Sequence, residues 1–221
     1  MDVIETIETR RSVRAFKANP VPKATLEAIM KAALRAPSWA NTQPWEFCVV
    51  GGEVIEKLRA AMIDKVRSGE QPNPDFPAPT FEGPYRERMR STGQRLFEQL
   101  GIAREDRAAR QDWMLGMSRF FDAPNLVVVY MDRSLGQLSL LDIGLALENL
   151  MLAAWHFGVG TCAEAAAVQY PGLLRSLLKI PEPKRIILGV ALGYPDLSNP
   201  VMRYRSLREP LETLVAWHGF D

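Results

Sequence analysis

Residues 9–16, TRRSVRAF, place three arginines and one serine close together: Arg10, Arg11, Ser12 and Arg14. A planar guanidinium matches the oxygens of a phosphate, and a serine hydroxyl adds another donor. The alternating spacing of 10, 12 and 14 puts several donors on one side of an extended turn. The cluster therefore predicts a phosphate-type anion site. A solvated basic turn at the negative end of the preceding short helix is the alternative.

A second polar cluster lies in RAPSWANTQPWEF, residues 35–47. Asparagine and glutamine amides each offer a donor and an acceptor, as the edge of a heteroaromatic ring requires. Trp39 and Trp45 can wall a flat ring. The segment therefore predicts a ring-binding loop, and a capped loop anchored by two tryptophans is the alternative. Its candidate residues are Pro37, Ser38, Trp39, Asn41 and Gln43.

Two further stretches carry candidate ligand contacts. GVGTCAEAAAV, residues 158–168, is rich in small residues that leave backbone amides accessible, and it predicts a tight turn with a helix beginning at Ala165. RYRSLREP brings Arg203, Arg205 and Arg208 near the C-terminus. These arginines are either a basic surface tail or long-range partners of Arg10–Arg14 on one phosphate.

Other binding chemistries lack their motifs. No GxGxxG follows a predicted strand, and no GxxxxGK[ST] is present, so a nucleotide held by a glycine loop is not expected. The two histidines, His156 and His218, sit in apolar helical surroundings, and there is no CxxC or HExxH, so no metal site is predicted. The net charge of +1 predicts no nucleic-acid partner.

The chain is expected to be cytoplasmic. MDVIETIETR lacks the basic and apolar regions of a signal peptide, and no uninterrupted apolar run reaches the length of a membrane span, so no membrane partner is expected. Cys48 and Cys162 lie far apart and are interpreted as reduced thiols.

The elements that must position these groups alternate between helices and a few strands. WEFCVVGG, NLVVVYMD and RIILGVALGYPD predict buried strands, and several amphipathic helices and a final helix in the tail are predicted around them. This pattern predicts one α/β or α+β domain over residues 1–221 with a small central sheet. LLDIGLALENLMLAAWHFGV is apolar on nearly every face, which is typical of a helix covered by a partner subunit.

Residues 71–120 are predicted to be an excursion from this core, interpreted as a lid. Five prolines fall within 14 residues of its first part, and an arginine-rich helical stretch with Arg86, Arg88 and Arg90 follows. The three arginines are either solvated or an attraction for an acidic substrate. Trp113, Phe120 and Phe121 are either lid residues or plain anchors to the core.

Five blocks of this sequence, in the same order, resemble the flavin-dependent nitroreductase family. TRRSVRAF resembles the family's RxSxR signature, and APSWANTQPWEF resembles its APSxxNxQPW block. DIGLALENLMLAAWHFGVGT resembles the central helix, GVALGYPD the late strand, and RSLREPLETLV the terminal R-x-P segment. The resemblance implies an α+β sandwich with a small mixed sheet surrounded by helices, in an intertwined homodimer that binds FMN at the subunit interface.

The resemblance also implies residue roles, with the phosphate and ribityl chain on the N-terminal arginine cluster and the tail, and the ring on the second cluster. The stretch from Ala163 to Ala165 would place a backbone amide near the flavin N5, although many relatives carry Pro-x-Glu-Gly there and this chain reads Ala-Glu-Ala-Ala. The implied cofactor-binding residues are Arg10, Arg11, Ser12, Arg14, Pro37, Ser38, Trp39, Asn41, Gln43, Ala163, Glu164, Ala165, Arg205 and Arg208.

The implied reaction is a ping-pong cycle. NADH or NADPH reduces the flavin, and a nitroaromatic or a quinone is reduced in its place, with no side chain acting as acid or base. Relatives of this fold also dehalogenate substrates reductively or break down flavin, and these reactions are the alternative. A module that binds phosphate or nucleic acid through the arginines is the alternative from another class.

Overall fold

The computed structural model describes residues 2–220. Its α-helices surround one sheet and mostly follow the amphipathic segments of the sequence. The N-cap carboxylate of Asp2 accepts from Glu5 N at 3.0 Å and starts the first helix. The helices are α1 (Val3–Thr9), α2 (Lys23–Ala33), α3 (Gly52–Arg67), α4 (Gly83–Gln99), α5 (Arg107–Ser118), α6 (Leu138–His156), α7 (Pro171–Leu178) and α8 (Leu211–Leu214).

The described residues form one four-stranded sheet in the order β1-β2-β4-β3, with β1 (Glu46–Gly51), β2 (Asn125–Asp132), β3 (Gly160–Glu164) and β4 (Lys184–Gly193). The α+β class is confirmed. All three strand pairs are antiparallel, whereas a mixed sheet was expected. Within residues 2–220, the parallel pairing is limited to an isolated bridge from Ser12 to Thr161.

The strand β3 was expected to be a turn. Small residues such as Gly160 and Ala163 have low strand propensity, but in the sheet they allow neighbouring segments to pack closely. A β-carbon at Gly160 would lie 2.4 Å from Val13 Cγ2, so only glycine lets the N-terminal segment approach this edge.

The sheet is covered by helices on both faces. Val127 and Val129 pack with α2 and α6, and the alternate residues Leu126 and Val128 pack with α3 and α7. Because successive side chains of a strand point to opposite faces, a strand buried on both sides is apolar throughout. This double burial explains why NLVVVYMD predicts the bounds of β2 so well.

The helix α6 packs against the core through Ile143, Ala146 and Leu150, and it exposes Leu138 and Leu141 on its other side. By length and composition α6 could also cross a membrane, but core helices of soluble proteins can be equally long and apolar. Because its inner face fills the core beside α2, we interpret α6 as a core helix with one uncovered apolar side.

The tail differs from the prediction. Its final helix is only the four residues of α8, and large apolar side chains along it are exposed, among them Leu207, Leu211, Trp217 and Phe220.

Candidate functional site

The N-terminal arginine segment lies beside β3. Val13 N donates to Thr161 O at 2.8 Å, and Val13 and Ala15 are buried. Because an extended segment alternates its side chains, Arg10, Ser12 and Arg14 point away from that buried side. By this alternation the three donors lie on the side of the segment opposite the buried Val13 and Ala15.

Arg11 points the other way and fastens the tail. Its Nη1 donates to Met202 O at 2.6 Å, and its guanidinium lies 5.8 Å from the ring centroid of Trp155. Burial lowers the pKa of Arg11, and the nearby charge of Arg205 lowers it further. Arg205 itself returns to the segment, donating from Nη1 to Thr9 O at 3.2 Å.

Arg208 is not brought to the arginine segment within one chain. Its Nη1 donates to Ser206 Oγ at 2.8 Å and to Leu207 O at 3.1 Å, and it lines a cleft with Arg88 and Arg95. The tail therefore delivers Arg205, and not Arg208, next to residues 9–11.

The turn at residues 37–43 is held tightly, while its polar side chains face outward. Gln43 N donates to Ser38 Oγ at 3.0 Å, and Trp39 N donates to Asp142 Oδ2 at 3.2 Å. Asn41 has a φ of 57°, in the left-handed region that asparagine tolerates better than most residues. Pro37, Trp39, Asn41 and Gln43 are exposed and Ser38 is partly buried.

The two tryptophans do not share a role. Trp39 is 69% exposed, whereas Trp45 is buried in the core with α2 and α6. The expectation that both wall one ring is wrong, because the strand β1 begins at Glu46 and turns the Trp45 side chain into the interior. Trp39 alone is available as a flat apolar surface.

Both clusters are anchored to α6. Arg10 Nε lies 3.5 Å from Glu148 Oε1, and Asp142 accepts from Trp39 N. Six residues of helix span about 9 Å along the axis, so the arginine segment and the turn lie near one another on this helix. Sequence reasoning missed these two carboxylates. Their signal is acidic residues placed within an otherwise apolar helix.

At the end of β3, Glu164 is a buried carboxyl flanked by the exposed Ala163 and Ala165. It is 6% exposed, and neither carboxyl oxygen has a hydrogen-bond partner among the described residues. Burial raises the pKa of Glu164 to about 8, opposed by the nearby charge of Arg14. Burial, reinforced by Glu164, also raises the pKa of the Cys162 thiol to about 12. The site thus contains a protonated carboxyl beside an arginine.

Replacing Glu164 by glutamine is expected to stabilise the protein at alkaline pH. The unfolded chain loses this proton near pH 4.5 and the folded chain near pH 8, so the free energy of unfolding falls as the pH rises through that window. Glu164→Gln removes this loss, which is worth about 2–4 kcal/mol at pH 9 and close to zero at pH 4. Thermal or urea unfolding of both proteins at the two pH values measures it.

The matched control for this prediction is Glu53→Gln. Glu53 is an exposed glutamate on α3, so its replacement is expected to change the unfolding free energy by less than about 0.5 kcal/mol at either pH. Equal effects of Glu164→Gln at pH 4 and pH 9 would contradict the burial of a neutral carboxyl.

Next to these groups, a cavity of about 440 Å³ separates Arg14 and Phe16 from α5, where Trp113 and Gly116 line it. Arg14 forms no ion pair within 4.0 Å among residues 2–220, and Ser12 is exposed. Donors without carboxylate partners can bind a phosphate monoester, and the outward amides of Asn41 and Gln43 can bind a polar ring edge. No group of three or more metal-ligating side chains occurs in residues 2–220.

Comparisons with known proteins agree with this arrangement. The model of the nitroreductase family matches residues 7–194. The nitrobenzene nitroreductase of Ectopseudomonas oleovorans is 36% identical over 201 residues, covering 89% of this chain and 88% of the relative. The chloronitrobenzene nitroreductase of Comamonas testosteroni is 35% identical over 218 residues, covering 96% of this chain and 95% of the relative.

A similar solved structure is the FMN-dependent nitroreductase NfnB from Mycobacterium smegmatis in complex with NADPH. It superposes with a TM-score of 0.92 at 30% identity and covers 98% of this chain and 100% of its own. The architecture described above is therefore shared over 98% of this chain and the whole of the similar one.

Proposed function

Because this chain belongs to the nitroreductase family, we propose that it is an FMN-dependent NAD(P)H oxidoreductase that reduces nitroaromatic compounds. The observation that carries the proposal is the row formed by Arg10, Ser12 and Arg14 beside β3, which offers a phosphate several donors at one edge of the sheet. When bound, the flavin supplies the two-electron redox chemistry that no side chain possesses.

The residues of the site fit FMN. Arg10, Ser12 and Arg14 bind the phosphate and ribityl chain, and Arg205 adds positive charge from the tail. Arg11 holds the tail in place. Pro37, Ser38, Trp39, Asn41 and Gln43 line the ring, while Ala163 and Ala165, both exposed, leave the backbone beside Glu164 open to it. Arg208 lies apart from this set within one chain.

The chain itself performs three tasks in this reaction. The arginines bind and orient the anionic end of the cofactor, and their charge stabilises negative charge that develops nearby. Glu164 holds a proton next to Arg14 at neutral pH. The stacking surface of Trp39 and the amides of the turn orient flat rings, so that donor and acceptor occupy one slot in alternation.

We also propose a homodimer built on α6 and the tail. Leu138 and Leu141 of α6, the exposed residues of the tail and the exposed Ile4 and Ile7 of α1 are more uncovered apolar surface than a monomer normally presents. A second copy covers these surfaces and closes over the two clusters that α6 carries. The free thiols of Cys48 and Cys162 support a reducing, cytoplasmic location.

The proposed function is tested by the flavin content and the nitrobenzene reductase activity of the purified protein. The purified protein is expected to be yellow and to release FMN on denaturation. Without dioxygen, it is expected to oxidise NADH or NADPH beyond one equivalent per flavin only when nitrobenzene is present. Product analysis is expected to show reduction of the nitro group. Protein stripped of flavin is the control, and its activity is expected to return when FMN is added. A colourless protein that neither binds FMN nor reduces nitrobenzene would overturn the proposal.

We further propose that residues 1–221 form one domain in which residues 71–120 act as a lid. Phe120 and Phe121 are buried in the core beneath α3, so they are anchors, while α4 is exposed along most of its length. Arg88 is neutralised by Glu209 at 2.8 Å, so Arg86, Arg88 and Arg90 do not act as one patch. The exposed stretch before α4, residues 77–81, is the part of the lid that we propose contacts the acceptor.

Loosening that stretch is expected to change the choice of acceptor and not the binding of FMN. Residues 77–81 are exposed, whereas Asp75 just before them accepts from Ile186 N at 2.8 Å and must be kept. Replacing residues 77–81 with five glycines and serines removes the stiffness of two prolines. The ratio of kcat/KM for nitrobenzene and 4-nitrobenzoate is expected to change by about threefold or more.

Flavin content per chain is the control measurement for this variant. Loss of FMN would show that the stretch supports the core, and an unchanged ratio for all acceptors would show that it is an inert insertion.

A further inference from the structure

A second positively charged cavity lies away from the arginine segment, between α4 and the connection to α5. It has a volume of about 560 Å³, and we name it the α4–α5 basic cavity. Its walls combine cationic and apolar side chains. The lining residues are Met89, Arg90, Gly93, Gln94, Phe97, Glu98, Ile102, Ala103, Arg104 and Arg110.

The charge of this cavity is not neutralised by the protein. None of its three arginines forms an ion pair within 4.0 Å among residues 2–220. Its single carboxylate, Glu98, already accepts from Gln94 Nε2 at 2.8 Å. Other arginines nearby are paired, as Arg88 is with Glu209 and Arg119 is with Asp112. Three unpaired guanidiniums in one concavity produce a local positive potential suited to a small anion.

Arg110 is held in place for such an anion. Its Nε donates to Ala103 O at 3.1 Å, and its guanidinium lies 4.2 Å from the ring centroid of Phe97. These contacts use the Nε–H and one face of the group, so the terminal N–H groups stay free. A guanidinium fixed in this way loses little conformational entropy when it binds a phosphate through two parallel hydrogen bonds.

The α4–α5 basic cavity adjoins the cavity beside the proposed flavin site. Ile102 lines both the basic cavity and the neighbouring cavity of about 440 Å³, and that second cavity reaches Arg14. Met89 and Phe97 add apolar surface against which a purine ring can pack. The α4–α5 basic cavity and the cavity beside Arg14 are therefore neighbours that meet at Ile102.

We propose that the α4–α5 basic cavity binds the 2′-phosphate of NADPH, through Arg90, Arg104 and Arg110, and so makes NADPH the preferred electron donor. This inference rests on the proposed function, which requires a nicotinamide dinucleotide but leaves its identity open. The two coenzymes differ only in this phosphate monoester, which carries a charge of about −1.5 to −2 at pH 7. A site that meets it with three unpaired guanidiniums favours the phosphorylated form.

The first test is equilibrium binding to the FMN-loaded protein, with 2′,5′-ADP and 5′-AMP as probes. The expected result is at least tenfold tighter binding of 2′,5′-ADP, which added salt weakens because the contact is ionic. Arg90→Gln and Arg104→Gln are each expected to weaken 2′,5′-ADP about tenfold and to leave 5′-AMP unchanged. Arg86→Gln, which changes the same charge on the same helix outside the cavity, is the matched control.

The second test is steady-state kinetics with a neutral acceptor, nitrobenzene. The two variants are expected to lose about tenfold in kcat/KM for NADPH and to keep kcat/KM for NADH. A parallel series with 4-nitrobenzoate separates the coenzyme phosphate from an acceptor carboxylate. A selective loss on 4-nitrobenzoate, with NADPH unaffected, would overturn the inference.

The possible outcomes separate failure of the NADPH phosphate site from failure of the proposed FMN-dependent function. Equal affinity for both probes, or equal losses with NADH and NADPH, would overturn the phosphate site while FMN content and nitrobenzene reduction still support the proposed function. A protein that binds no FMN and oxidises neither coenzyme would overturn the function itself. Arg110→Lys, which keeps the charge but loses the planar fork, is expected to fall between wild type and Arg104→Gln.

Discussion

Arg10→Ala and Arg14→Ala are expected to purify with far less flavin than the wild-type protein. Each substitution removes charge-assisted hydrogen bonds to the FMN phosphate, which is worth about 1.5–3 kcal/mol of affinity, or about tenfold to a hundredfold in Kd. The ratio of flavin absorbance near 450 nm to protein absorbance measures the effect, as does titration of the flavin-free protein with FMN.

Folding effects can be separated from this loss. The ion pair between Arg10 and Glu148 is partly exposed, so its removal costs at most about 1 kcal/mol of stability. Arg14 has no such pair among residues 2–220, and Arg14→Lys is expected to recover part of the affinity because it keeps the charge.

Arg86→Ala serves as a control, since Arg86 is exposed on α4 away from both clusters. Unchanged flavin content in both Arg10→Ala and Arg14→Ala would remove the phosphate role from the segment.

A charge at Leu141 is expected to dissociate the dimer and release the flavin with it. Leu141 is 66% exposed in a single chain on the uncovered side of α6. In a two-fold dimer the same substitution occurs on both sides of the interface, so Leu141→Glu buries two unpaired carboxylates. Even a few kcal/mol for each of them weakens association by more than about a hundredfold.

Light scattering coupled to size-exclusion chromatography measures the mass. The wild type is expected near twice the chain mass of 24.8 kDa, and the variant near the chain mass itself. Leu197→Glu is the matched control, because Leu197 is 67% exposed in a loop outside α1, α6 and the tail. A wild-type protein that binds FMN as a monomer would contradict the dimer.

Several features of this protein were readable from the sequence because local physics sets them. The β-branched run NLVVVYMD coincides with β2, since a strand buried on both faces is apolar throughout. The alternation of Arg10, Ser12 and Arg14 with buried residues appears in the structure, where Val13 and Ala15 are buried and Ser12 pairs with Thr161, since successive side chains of an extended chain point to opposite sides. The helices α2 and α3 were likewise predictable, because the apolar residues of each recur at helical spacing and form one buried stripe.

Other features were decided only by the tertiary structure, because they depend on segments distant in sequence. The strand β3 exists because β4 and the N-terminal segment pair with its small residues, although those residues favour a turn by themselves. Arg11 turns from the arginine row to Met202, 191 residues away.

Burial raises the pKa of Glu164, and the charge that opposes this shift comes from Arg14, which is distant in sequence. The separation of Trp39 from Trp45 follows from where β1 enters the sheet. Local sequence can specify which donors are available and how they alternate, but which of them share a site, and with what charge, is set by long-range packing and desolvation.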